Sequence, residues 1–183
     1  MASDGDHEGL RKALDTGVCA RIHDAQGLTP LMHAARRGHL ECVLLLAPKS
    51  DLDARACNPA SYDYGSRCKI FGATALMVAI SHRRLACAAA LLAAGADPDA
   101  ADSEGCTPLM TATLFGNLRA CAMLCEAGAS LQATDRHGRT AEDIAKQTGG
   151  RGTLSLLLAF RERGGIAGSA SLDETSEHGA RRL

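Results

Sequence analysis

The sequence predicts an all-α solenoid of stacked helix pairs, and three observations carry that expectation. Alanine and leucine dominate the composition, at 34 and 24 of 183 residues, whereas Val and Ile together number eight, Trp is absent and aromatics make up 3%. Such a core grows large only where helices approach closely through small side chains; sandwiches and barrels draw instead on β-branched and aromatic residues. The second observation is a recurring motif. Gly27-Leu28-Thr29-Pro30-Leu31-Met32 returns as Gly72-Ala73-Thr74-Ala75-Leu76-Met77, as Gly105-Cys106-Thr107-Pro108-Leu109-Met110 and, more weakly, as Gly138-Arg139-Thr140-Ala141-Glu142-Asp143. The threonines lie 45, 33 and 33 residues apart, a period of 33 with 12 extra residues in the first interval. The third is that the unit ends repeat too: Gly95-Ala96-Asp97-Pro98-Asp99-Ala100 matches Gly128-Ala129-Ser130-Leu131-Gln132-Ala133, and Lys49 to Ala54 is a degenerate copy. A short unit of this kind cannot bury its apolar face alone, so copies stack.

Each element follows from local chemistry. The repeated Thr caps a helix through its side-chain oxygen, and Pro30 or Pro108 then occupies the first helical position, where a missing N–H costs nothing. Leu31, Ala34 and Ala35 give that helix a close-packing face. Gly38-His39 interrupts it, and Leu40 to Leu46 starts a second helix. Gly95 and Gly128 suit the left-handed position just past a second helix. Asp102-Ser103-Glu104-Gly105 makes a tight turn into the next Thr.

With these residues in place the units resemble ankyrin repeats. The Thr-Pro-Leu-x-x-Ala pattern, Gly38-His39, the Leu91-Leu92 pair and the Gly95-Ala96-Asp97 stretch recur in phase over residues 24–160. The resemblance implies two antiparallel helices and a projecting short β-hairpin loop per repeat, stacked into a curved solenoid. The expected frame is one domain over 1–163: a capping half-repeat at 6–23, repeats near 24–55, 69–101, 102–134 and 135–162, and an insertion at 56–68. Residues 164–183, with Gly164-Gly165 and a Ser, Glu and His run, have little to bury and are expected to be disordered. One departure stands out. The family usually places His after Thr-Pro-Leu, where this chain has Met32, Met77, Met110 and Asp143.

By the same resemblance, function lies on the concave face, in positions the fold leaves free. These are the hairpin-tip pair, the residue after the turn Gly and the exposed end of each first helix. They are Ala25, Gln26, Leu28, Arg36 and Arg37 in the first repeat, and Ile70, Phe71, Ala73, Ser81 and His82 in the second. The third contributes Ser103, Glu104, Cys106, Leu114 and Phe115; the fourth contributes Arg136, His137, Arg139, Gln147 and Thr148. Ile70 and Phe71 with Leu114 and Phe115 can form an apolar anchor of the sort that dominates binding energy. Equally, Ile70 and Phe71 can fold under the neighbouring insertion and close a local core. Arg36 and Arg37 suit acidic groups on a partner. Of the five aromatics only Phe160 reads as a closing core residue; Tyr62, Tyr64, Phe71 and Phe115 lie off the repeat framework or at its edge.

The insertion holds both tyrosines, Tyr62 and Tyr64. Tyr makes low-entropy contacts, so the segment reads either as a recognition loop or as a tolerated lengthening, which costs little. Cys57 and Cys68 flank it and are expected to be free thiols. Cys42 and Cys87 share one position of the second helix and read as small core residues. Cys121 and Cys125, four apart, offer half a metal site with no further ligand pair in view. Gly149-Gly150-Arg151-Gly152 lacks the Lys and preceding strand of a phosphate loop. No catalytic motif, cofactor site or metal site is expected.

Charge and hydropathy bound the partners. Net charge is −1, so no global field favours nucleic acid or an anionic surface. The longest apolar stretch, Leu85 to Ala96, spans 12 residues where a membrane crossing needs about 20. A polar, acidic N-terminus is unlike a signal peptide. The sequence therefore predicts a monomeric, non-enzymatic cytoplasmic or nuclear module that binds a protein partner as scaffold, adaptor or inhibitor. The alternative is a regulatory subunit with redox- or metal-responsive cysteines, for which Cys68 between Arg67 and Lys69 is the suggestive case.

Overall fold

The computed structural model describes Ala2 and residues 4–16, 22–57 and 72–169, with side chains described as far as residue 163. Its helices run α1 (His7–Asp15), α2 (Pro30–Arg37), α3 (Leu40–Leu46), α4 (Ala75–Ser81), α5 (Leu85–Ala93), α6 (Pro108–Leu114), α7 (Leu118–Glu126), α8 (Ala141–Thr148) and α9 (Arg151–Ser169). A 3-10 turn over Ala47–Lys49 extends α3.

The Thr caps set the start of every first helix. Thr29, Thr74, Thr107 and Thr140 each sit in extended backbone, and each hydroxyl oxygen accepts an N–H three residues on, from Met32, Met77, Met110 and Asp143 at 3.3 to 3.4 Å. In the fourth repeat Asp143 returns the bond to the Thr140 N–H at 3.1 Å, closing a capping box. At the other end of these helices an alanine carbonyl accepts the backbone N–H five residues on: Ala34 from His39, Ala79 from Arg84, Ala112 from Asn117 and Ala145 from Gly150. This bond reverses the chain into the second helix and needs a left-handed residue just before the donor. Gly38, Gly116 and Gly149 supply it at φ 86°, 59° and 71°. In the second repeat the residue there is Arg83, at φ 57°.

The first helices stack on one another as α2, α4, α6 and α8, and the second helices stack behind them as α1, α3, α5, α7 and α9. Leu31, Leu76 and Leu109 fill successive layers of the core with no exposed surface. Met32, Met77 and Met110 are buried beside them, so the thioethers standing where the resembled family places His act as core volume. Each such side chain contributes about 1.5–3 kcal/mol relative to an exposed one. Cys42 and Cys87 are buried in equivalent layers.

The loops between repeats are turns built on a recurring aspartate. In three repeats the Oδ1 of Asp24, Asp102 or Asp135 accepts two backbone N–H groups, two and four residues on, at 2.8 to 3.0 Å. The backbone closes the same turn, with Asp24 N–H donating to Leu28 and Asp102 N–H to Cys106. Neighbouring loops meet through isolated bonds, such as Cys57 N–H to the Gly27 carbonyl at 2.9 Å. Single bonds do not make a ladder, so where short β-hairpins were expected, the described residues contain turns and no strand. Helix α9 also runs through Gly164 and Gly165 to Ser169, past the expected end of the domain at 163. Glycine lowers helix propensity by about 1 kcal/mol without forbidding the conformation. Phe160 is half-buried rather than closed in the core, and the Arg163 guanidinium lies 5.8 Å from its ring.

Candidate functional site

The repeat register carries the ends of the first helices to one edge of the stack. There Arg37 and His82 are exposed, Arg36 and Ser81 are partly covered, and Leu114 and Phe115 are half-buried. Two arginines that sequence reasoning passed over tie this edge together. Arg84 Nε donates to the Arg36 carbonyl at 3.4 Å, and Arg83 Nη2 donates to the Phe115 carbonyl at 3.2 Å. One arginine thus reaches back to the end of α2 and its neighbour reaches forward to the end of α6. Each sits at a carbonyl-rich helix terminus, where a cation is favourable. Their signal in the sequence is the Arg83-Arg84 pair standing where the first repeat has Gly38-His39.

His82 lies among these cations. Partial burial of its ring favours the neutral form, and Arg36 and Arg84 add to that, against an opposing hydrogen bond to the Val78 carbonyl; its pKa is lowered. In the first repeat a histidine–aspartate pair joins His33 Nε2 to Asp24 Oδ2 at 2.6 Å. Neither residue was among the positions expected to meet a partner.

The turn tips of the third and fourth repeats are engaged with one another. Arg136 Nη1 lies 2.6 Å from Glu104 Oε2, and the Arg136 backbone N–H donates to the Glu104 carbonyl at 2.9 Å. Arg136 Nε also donates to His137 at 3.2 Å. Arg139 pairs with Asp135 at 2.7 Å and reaches Gln147 at 3.4 Å. Gln26 and Ser103 are exposed at their turns. Leu28 is a correction: its exposure is 0%, and it belongs to the core. Its N–H and carbonyl both bond Asp24, which fixes the turn and directs the side chain inward. Ala73, at the same repeat position, is likewise buried. Tyr62, Tyr64, Ile70 and Phe71 lie outside the described residues, so the apolar anchor is represented by Leu114 and Phe115 alone.

The three turn aspartates show how one backbone motif yields opposite electrostatics. Burial alone would raise all three carboxyls. At Asp24 the Leu28 N–H, His33 and the Gln26 N–H outweigh it, and at Asp135 Arg139 and two backbone N–H groups do so; both pKa values are lowered. At Asp102 burial wins over the Cys106 and Glu104 N–H bonds, and the pKa is raised. The difference lies in the second carboxylate oxygen. In Asp24 and Asp135 it meets a His or an Arg, whereas the buried Asp102 Oδ2 has no hydrogen-bond partner among the described residues.

Burial disfavours the thiolate at four of the six described cysteines. Burial pushes Cys42, Cys87 and Cys121 up, and Cys125 to about 11. Cys57 is exposed. Among the described residues no three His, Cys, Asp or Glu side chains converge as a metal site requires, and no helix is long and apolar enough to cross a membrane.

Comparison with known proteins agrees with this architecture. Residues 1–102 and 58–135 match the family model described as ankyrin repeats (3 copies). A protein of Oryza sativa subsp. japonica described as zinc finger CCCH domain-containing protein 24 is 37% identical over 118 residues, covering 57% of this chain. The match covers only 14% of that relative, so the likeness concerns a small part of it.

Proposed function

Because the chain belongs to the ankyrin-repeat family, whose repeats are generally non-enzymatic protein–protein interaction modules, we propose that it binds a protein partner through the first-helix ends and hairpin tips of its concave face. One observation carries this reading. The partly exposed ends of α2, α4 and α6 form a single edge, held in register by Arg83 and Arg84 across three repeats. That edge presents cations beside half-buried apolar surface, the combination that supplies interface anchors. The hairpin tips contribute less, since Glu104 and Arg136 already satisfy each other. The module acts as a monomer in the cytoplasm or nucleus, as a scaffold, an adaptor or an inhibitor.

The redox-responsive alternative draws no support from the described thiols, because a reactive cysteine needs a lowered pKa and access. Four of the described six are pushed the other way. Quantitative affinity capture from cells tests the two readings together. Partners held by wild type and lost with Leu114→Ala/Phe115→Ala support the concave-edge reading. Partners that ignore this change but depend on Cys57, Cys68 and reductant support the alternative.

A further inference from the structure

Arg36 and Arg37 end α2, and Arg83 and Arg84 follow the end of α4, its neighbour in the stack. None of the four has a carboxylate within ion-pair distance among the described residues, whereas Arg136, Arg139 and Arg161 each do. Arg84 lies against the end of α2, where its Nε bonds the Arg36 carbonyl and a Cβ placed on Gly38 would lie 2.8 Å from its Cδ, and Arg36 and Arg84 both act on the His82 ring between them. Gathering like charges without counter-ions is unfavourable in the free protein, so the arrangement calls for an anionic complement.

Arg83 adds an independent observation. Three repeats place glycine at the left-handed reversal, at Gly38, Gly116 and Gly149, and only here does a side chain occupy it, at φ 57°. A non-glycine residue held there is strained, and such strain clusters at functional sites. A glycine would make the same turn without strain, so the side chain itself is what the position retains.

We propose that this arginine cluster, flanked by His82 and Phe115, is the docking site for an acidic, extended protein segment carrying carboxylates about three residues apart. The proposal rests on the protein-binding reading above and specifies its partner. Guanidinium forks suit carboxylates in bidentate geometry. Arg83 and Arg84 each commit one N–H to a helix-end carbonyl, which orients the fork while leaving other N–H groups outward. Packed neighbours such as α2 and α4 lie about 8–10 Å apart, and a chain extended as polyproline II rises about 3.1 Å per residue and returns its side chains to one face every third residue. Carboxylates three residues apart therefore reach both arginine pairs, and the half-buried Phe115 offers apolar surface beside them. A short peptide fits better than a long nucleic acid. Net charge is −1 with these four arginines included, so the remainder of the chain is acidic and repels a polyanion that runs past the cluster.

Fluorescence anisotropy tests this with a labelled Gly/Ser peptide bearing glutamate at every third position, the same peptide with glutamine, and a single-stranded thymidine oligonucleotide. The glutamate peptide should bind wild type in a salt-dependent manner and the glutamine peptide should not. Arg83→Gly should weaken binding about tenfold, as should Arg36→Gln/Arg37→Gln, while the melting temperature of Arg83→Gly stays at or above that of wild type. Equal binding of the glutamate and glutamine peptides, tighter binding of the oligonucleotide, or undiminished binding by Arg83→Gly overturns the proposal. A lowered melting temperature with undiminished binding assigns Arg83 to the helix end alone. Partners captured by wild type and lost with Leu114→Ala/Phe115→Ala, alongside no peptide binding, leave the protein-binding reading standing and overturn this one.

Discussion

Arg136 of the fourth repeat is joined to Glu104 of the third twice over, by a 2.6 Å ion pair and by a backbone N–H to carbonyl bond of 2.9 Å. The two links differ in strength. The ion pair is exposed on the arginine side, with side-chain exposures of 58% and 30%, so it contributes about 0.2–1 kcal/mol and fades with salt. The backbone bond is independent of side-chain identity. Arg136→Ala should therefore lower stability by less than about 1 kcal/mol at low salt and by nothing measurable at high salt. Urea unfolding at two ionic strengths measures this, and a loss of several kcal/mol would show that the ion pair holds the repeats together.

The Thr caps predict a larger effect. Thr107 is buried, its oxygen accepts the Met110 N–H at 3.3 Å, and its carbonyl also receives the Thr111 hydroxyl at 3.1 Å. Thr107→Ala removes the cap and leaves a buried N–H unpaired, at about 0.5–2 kcal/mol. For a chain of this size each kcal/mol shifts the melting temperature by about 2–4 °C. Thr107→Ser should recover most of the loss, and equal losses for Ala and Ser would point to the missing methyl rather than the cap.

The paired turn aspartates make opposite predictions with pH. Asp135 has a lowered pKa in the fold, so its contribution is complete above the unfolded carboxyl value, about 3.9, and is lost as pH falls through the folded value. Asp102 has a raised pKa, so the fold binds its proton more readily than the unfolded chain does. Its charged form is therefore a liability at neutral pH, growing in from about pH 3.9 upward and constant above the folded value. Asp102→Asn keeps an oxygen for the Glu104 and Cys106 N–H groups and removes the buried charge. Its stability relative to wild type should rise from acid to neutral pH, whereas that of Asp135→Asn should fall. Thermal melts across pH 3–7 decide the matter; parallel curves would contradict the difference drawn from the two second oxygens.

Helix starts, chain reversals and turn aspartates were legible because their code is local, within three to five residues of Thr, Gly or Asp. Met32, Met77 and Met110 stood out in the sequence only as a departure from the family's His, and their burial emerged from the stack. Leu28 was misplaced because the position after a turn glycine is exposed or buried according to how the turn aspartate orients it, and the neighbouring repeats carry Ala, Cys and Arg there. The arginine edge was half legible. Arg36 and Arg37 came from register, but the bond from Arg84 to the Arg36 carbonyl spans 48 residues. Arg83-Arg84 carried no reading of its own until the fold set the pair between two helix ends.

Stability along the stack should also be uneven. A repeat array opens from its ends, because terminal units have one neighbour and inner units have two. Ala75 to Ile80 of α4 and Pro108 to Thr113 of α6 are buried throughout and are flanked by helices on both sides. At the front, α1 buries only Leu10 and packs on α3. At the back, α8 exposes Lys146, Gln147 and Thr148 and has α6 and α9 as neighbours. Amide hydrogen exchange should therefore rank α4 and α6 as the slowest, α8 and α9 as faster, and α1 as the fastest. Slowest exchange in residues 141–160 would place the most stable unit at the C-terminal end and contradict a stack whose central repeats are the most stable.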